Sequence, residues 1–146
     1  EAEIFLNNYF ERYEAVKKFM SDIVEKSKDL KYVETLYGRK IHVPNITATN
    51  YMMRQAAERA AINGPLQGSA ADIIKIAMIK IDDWINLNAP DINMILQVHD
   101  ELIYEVPDTF SEDDLRPILD LMENTTEIDV PLIVEYGFGA NWREAH

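Results

Sequence analysis

The sequence predicts an α+β fold in which a β-hairpin carrying an acidic motif belongs to a sheet with a core helix packed on it. Three observations predict it. The stretch Leu96-Gln97-Val98-His99-Asp100-Glu101-Leu102-Ile103-Tyr104-Glu105-Val106 joins two short runs rich in Ile, Val, Leu and Tyr at an acidic dipeptide, the pattern of a half-buried hairpin. Residues 69–87 carry a stripe of Ile73, Ile74, Ala77, Met78, Ile81, Trp84 and Ile85, so wide that this helix should be largely buried against that sheet. Further helical periodicity occupies residues 2–28, with Phe5, Tyr9, Tyr13, Val16, Met20 and Ile23 recurring every three or four positions. At 146 residues and 47% hydrophobic composition, the chain has enough material for one core and too little for two.

In order, residues 2–28 form one amphipathic helix or a pair. Lacking a capping signal at Glu1-Ala2-Glu3, this element looks cut from something longer. Residues 32–36 and 41–44 read as two short strands around a turn at Gly38, with Arg39 and Lys40 as solvated cations at its tip and His42 on the strand surface. The Ala-rich run at residues 49–63 is strongly helical and is expected to stop or kink at Gly64-Pro65. Ser69 with Asp72 three residues on resembles a capping box that would start the core helix anew. Asn88-Ala89-Pro90-Asp91 ends that helix and turns the chain into a strand over 92–98. After the hairpin, a helix begins near Asp113 or Asp114, leaving Pro117 in its first turn and Leu115, Ile118, Leu119 and Met122 facing inward. Residues 130–136 predict a last strand, followed by a non-helical tail that Trp142 pins to the body.

Composition narrows the chemistry. With no cysteine, thiolate metal sites and disulfides are excluded, and His42, His99 and His146 are too scattered for a histidine-based centre. Any metal would have oxygen ligands. A net charge of −12 argues against a free-standing nucleic-acid binder, so a nucleic-acid role needs a local site or a larger basic whole. The sequence has no run of 18 apolar residues and no leader-like segment, so nothing suggests a membrane span or a secretory signal, and the chain looks soluble.

Two groups of residues stand out. Asp100-Glu101 is a poor choice for a tight turn, which wants positive φ, and adjacent carboxylates repel unless a cation is near. A divalent metal is therefore the natural reason for the pair, weighed against a merely solvated acidic turn. At i, i+4 and i+8, Arg59, Asn63 and Gln67 would share one helix face if the helix keeps phase, giving a row of hydrogen-bond donors. It leads to Gly68, where another segment could approach closely.

The segment Arg59-Ala60-Ala61-Ile62-Asn63-Gly64-Pro65-Leu66-Gln67-Gly68-Ser69-Ala70-Ala71-Asp72-Ile73-Ile74, then Gln97-Val98-His99-Asp100-Glu101, then Pro131-Leu132-Ile133-Val134-Glu135, Asn141-Trp142 and Ala145-His146 closely resemble the C-terminal part of the family A DNA polymerases, bacterial members in particular. The resemblance includes Glu34-Thr35-Leu36 and Gly38-Arg39 and runs the length of the chain, with His146 looking like the family's own C-terminus. It implies a palm-type antiparallel sheet with a helical remnant of the fingers before it. Residues 1–45 would be a helical and hairpin segment from the fingers side and residues 46–146 the C-terminal part of the palm, one incomplete polymerase domain overall. The implied activity is template-directed nucleotidyl transfer from dNTP to a primer 3′-hydroxyl in DNA replication and repair. Asp100 would help hold two catalytic Mg²⁺ ions with Glu101 as a lesser supporting acid, and His99 would lie near the primer terminus. Arg59, Asn63 and Gln67 would face the primer-template minor groove, where donors can sense pair geometry without reading sequence.

The family's Asp-Tyr-Ser motif, which supplies the other principal carboxylate, is not in these residues, nor is the fingers helix that handles the triphosphate. The expectation is therefore an incomplete Mg²⁺ site and a piece inactive alone, whose partners are the remainder of the polymerase, primer-template DNA and dNTP. A homodimer of the piece through bared apolar surface is a further expectation. The competing reading is a non-catalytic docking module, such as the small half of a split polymerase. A His-Asp phosphohydrolase would need more histidines. A nucleoid-associated cytoplasmic location goes with the first reading.

Overall fold

The computed structural model describes residues 2–89 and 91–146. Its elements run α1 (Ala2–Arg12), α2 (Glu14–Leu30), β1 (Tyr32–Glu34), β2 (Lys40–His42), a 3₁₀ turn (Pro44–Thr47), α3 (Tyr51–Asn88), β3 (Asn93–Val98), β4 (Glu101–Glu105), α4 (Glu112–Glu123) and α5 (Trp142–Ala145). The strands form two antiparallel pairs, β1 with β2 and β3 with β4. The α+β class with antiparallel strands and backing helices is thus as the sequence predicts. The chain divides into two compact units, Glu1–Ser69 and Ala70–His146.

In the first unit the N-terminal periodicity resolves into a pair of helices, separated at Tyr13. Helix α2 ends where Lys31 adopts a left-handed conformation, φ 63°, and its N–H donates back to the Ser27 carbonyl. Val33 of β1 then packs with Val43, Ile46, Ala57 and Ala61, and Ile23, Val24 and Ile41 border this core. Lys40 is not simply solvated, because its Nζ lies 4.4 Å from the centre of the Tyr32 ring. Nor is Arg39, whose Nη2 donates to the Gly68 carbonyl at 3.0 Å.

The largest departure from expectation is α3, which runs unbroken through Gly64-Pro65. Proline removes one backbone donor and crowds the preceding turn, which in isolation costs about 3 kcal/mol. Packing reverses that local preference: Pro65 is buried, and Gly64 lies under Val33 and Ile41 of the β1–β2 hairpin. At Gly68 a Cβ would fall 2.7 Å from Thr35 Cγ2 and 2.8 Å from Ile41 Cδ1, so the close approach expected there is made by the same hairpin. Ser69 does not start a helix. Its hydroxyl donates to the Pro65 carbonyl at 2.5 Å and accepts the N–H of Leu36 at 2.7 Å, a mid-helix role incompatible with an N-cap.

In the second unit, Ala77, Ile81 and Ile85 of α3 form a core with Ile92 and Ile118, against which Met94, Leu102, Tyr104, Leu115 and Met122 pack. The apolar stripe is narrower than expected, since Ile73, Met78 and Trp84 are only half-buried and Ile79 is exposed. Lys80 reaches the Thr125 carbonyl at 3.1 Å and ties α3 to the end of α4. Helix α4 begins at Glu112, earlier than expected, because Ser111 and Asp114 form a full capping box. Pro117 therefore sits in the second turn.

Residues 130–136 are not a strand. A strand needs a ladder partner, and among the described residues none pairs with this segment. The N–H of Val134 donates instead to Glu123 Oε1 at 3.3 Å, and Ile133 is 81% exposed. The tail contains a helical turn after all, α5, on which Glu144 Oε1 accepts from the Asn141 side chain at 2.8 Å. Trp142 is 46% exposed, and it is Phe138 that meets the body, 6.2 Å from Phe110 between ring centres.

Candidate functional site

The β3–β4 hairpin is built from its register outward. Asn93 faces Glu105, Met94 faces Tyr104, Leu96 faces Ile103, Gln97 faces Leu102 and Val98 faces Glu101, with Ile95 as an extra residue that breaks the ladder. Such a bulge increases local twist and bends the strand. The final pair, Val98 with Glu101, leaves a loop of two residues, His99 and Asp100.

The turn is therefore one residue earlier than the acidic dipeptide suggested, and Glu101 is the first residue of β4 rather than half of the turn. His99 supplies the positive φ, 53°, that a two-residue hairpin requires. Histidine is among the side chains that tolerate this region best after glycine. Gln97 Nε2 donates to the His99 carbonyl at 2.5 Å and braces the turn.

Asp100 stands exposed at the tip. Among the described residues no hydrogen bond or ion pair engages its carboxylate, so both oxygens are available to an outside cation. Glu101 is different. Alternation along β4 places Leu102 and Tyr104 on the core side and Glu101 on the opposite face. There its Oε1 lies 3.1 Å from Nδ1 of His146, and the Glu101 side chain is 39% exposed. The two adjacent acids thus have separate surroundings.

Hard carboxylate oxygens of this kind fit Mg²⁺. They do not make a full site by themselves, since no group of three or more His, Asp or Glu among the described residues could hold a metal.

The donor row lies on the first unit. Because α3 does not break, Arg59, Asn63 and Gln67 follow one another a turn apart on a single stripe, and all three are exposed. Among the described residues none of their side chains is engaged in a hydrogen bond or ion pair. His99, Asp100 and Glu101 lie in the second unit and are brought together by the hairpin tip.

His146 was missed by sequence reasoning as a neighbour of the acidic motif. Its contact spans 45 positions and has no periodic signature.

With this geometry in place, the sequence model of DNA polymerase family A matches residues 1–144. The chain belongs to DNA polymerase family A. Among its family A relatives, DNA polymerase I of Pseudomonas aeruginosa is 45% identical over 146 residues, covering 100% of this chain and 16% of that protein. The thermostable DNA polymerase I of Thermus filiformis is 42% identical over 145 residues, 99% of this chain and 17% of that protein. The solved family A structure of the POL domain of Pol1 from M. smegmatis, in complex with DNA primer-template and dNTP, matches with a TM-score of 0.94 and 39% identity, covering 99% of this chain and 26% of that one. The chain accordingly spans about a sixth of the length of the curated relatives it matches. No helix among the described residues is long and apolar enough to cross a membrane.

Proposed function

We propose that this chain is the C-terminal part of a DNA-directed DNA polymerase and supplies one metal-binding carboxylate and part of the primer-template contact surface. The observation that carries the reading is the exposed, unengaged carboxylate of Asp100 at the tip of a two-residue hairpin turn, in a family A chain. Residues 1–45 belong to the fingers side and residues 46–146 to the palm.

Asp100 acts as an oxygen ligand for Mg²⁺, Glu101 as a supporting acid, and His99 lies beside the primer terminus. When bound, the ions supply charge stabilisation for in-line displacement at the α-phosphate by the primer 3′-hydroxyl. The exposed donors of Arg59, Asn63 and Gln67 address minor-groove acceptors, which are nearly alike for every correct pair. That indifference to sequence is what template copying needs. The full set of ligands, the triphosphate contacts and much of the DNA surface come from the rest of the polymerase. A place in the cytoplasm, at the nucleoid, follows from the substrate.

Primer extension tests this reading. The chain alone should extend no primer and bind Mg²⁺ only weakly, and the complete polymerase carrying these residues should extend it. Extension by the isolated chain, or tight stoichiometric Mg²⁺ binding to it, would contradict the division of labour.

A further inference from the structure

Glu101 does not share the turn with Asp100 but stands on β4 with His146 Nδ1 at 3.1 Å from its Oε1. The placement of that imidazole is built by several contacts. A Cβ at Gly137 would collide with the carbonyl oxygen of Ala145, so only glycine lets the tail fold tightly around the helical turn α5. Glu144 accepts from the Ala140 N–H at 3.2 Å and from the Asn141 side chain at 2.8 Å, closing the turn that precedes His146. The His146 N–H then donates to the Trp142 carbonyl at 3.0 Å, and the Trp142 ring stands edge-on to the imidazole, 6.4 Å between centres. Neither glycine wrapping nor this capping is needed to make the hairpin itself.

We propose that His146 is a positioning residue for Glu101, holding that carboxylate away from the cation that Asp100 binds. The proposal rests on the assignment of Asp100 as a metal ligand. Asp100 and Glu101 are neighbours in sequence, and two neighbouring carboxylates would otherwise both turn to the same divalent ion, because each is relieved of the other's repulsion by it. His146 competes with the ion for the Glu101 oxygens. The cation is then left to Asp100 and to ligands from elsewhere in the polymerase, and Glu101 stays in reserve as an outer acid.

The test is metal binding in a complex that cannot react. Mn²⁺ affinity is measured by electron paramagnetic resonance on the complete polymerase with dNTP and a primer-template ending in a dideoxynucleotide. His146→Ala should tighten Mn²⁺ binding by about two- to fivefold, the range of an exposed polar pair. His146→Asn, which keeps a nitrogen donor near the Nδ1 position, should stay close to the parent. In a Glu101→Gln background His146→Ala should have no effect on Mn²⁺ affinity. Unaltered affinity in His146→Ala, or an equal change with and without Glu101, overturns the proposal. Asp100→Asn in parallel separates the two levels: retained Mn²⁺ affinity there overturns the ligand assignment itself, whereas its loss alongside a silent His146→Ala overturns the positioning role alone.

Discussion

The hydroxyl oxygen of Ser69 accepts the backbone N–H of Leu36 at 2.7 Å while its proton goes to the Pro65 carbonyl at 2.5 Å. One side chain thereby links the end of the β1–β2 hairpin to the proline-bearing turn of α3. Ser69→Ala should lower stability by roughly 1 kcal/mol, the net worth of such a bond, measured by urea unfolding. A gain in stability would favour the alternative that Ser69 merely competes with helical bonding.

Gly68 should tolerate no side chain. Alanine would improve helix propensity by up to about 1 kcal/mol, yet its Cβ would press on Thr35 and Ile41, and overpacking costs about 1–3 kcal/mol. Net destabilisation of Gly68→Ala in denaturant unfolding is the expected outcome, and stabilisation would show that the hairpin can move aside.

Tyr104 should confer alkaline sensitivity. Its hydroxyl is buried without a hydrogen-bond partner, and burial first, then the nearby negative charge of Asp82, raises its pKa well above the ordinary phenol value. The folded phenol keeps its proton while the unfolded one ionises, so the unfolded state binds fewer protons and stability falls as pH rises above about 10. Tyr104→Phe should flatten the stability profile in that range. An unchanged slope would place the alkaline sensitivity elsewhere.

Gln67 is exposed on α3, so its loss should spare the fold. In the complete polymerase Gln67→Ala should slow primer extension by about tenfold, in the range of one groove hydrogen bond, with no shift in the unfolding midpoint. Unchanged extension kinetics would remove Gln67 from the proposed DNA surface.

What the sequence made legible was periodicity and local chemistry. The helical periodicity of residues 2–28, the stripe of Ile74, Ala77, Ile81 and Ile85, the inward face of α4 and the two hairpins all declare themselves by spacing, although the division into α1 and α2 does not. Misreadings arose where a distant partner overrode a local signal. Pro65 looked like a stop because the β1–β2 hairpin that buries its turn is not visible from the helix alone. Residues 130–136 have strand-like composition, but composition cannot supply a ladder partner. In the candidate site, the hairpin and its acids were readable, whereas the offset of the turn onto His99-Asp100 depends on the register fixed by the bulge at Ile95. The pairing of Glu101 with His146 has no sequence signature because it rests on how the tail closes around α5.

The most direct measurement is single-turnover incorporation of one nucleotide by the complete polymerase bearing Asp100→Ala. Loss of a metal ligand worth several kcal/mol to the transition state should slow the chemical step by about a hundredfold or more while primer-template affinity is retained. Incorporation at the parent rate would contradict the assignment of the hairpin tip as a catalytic metal ligand.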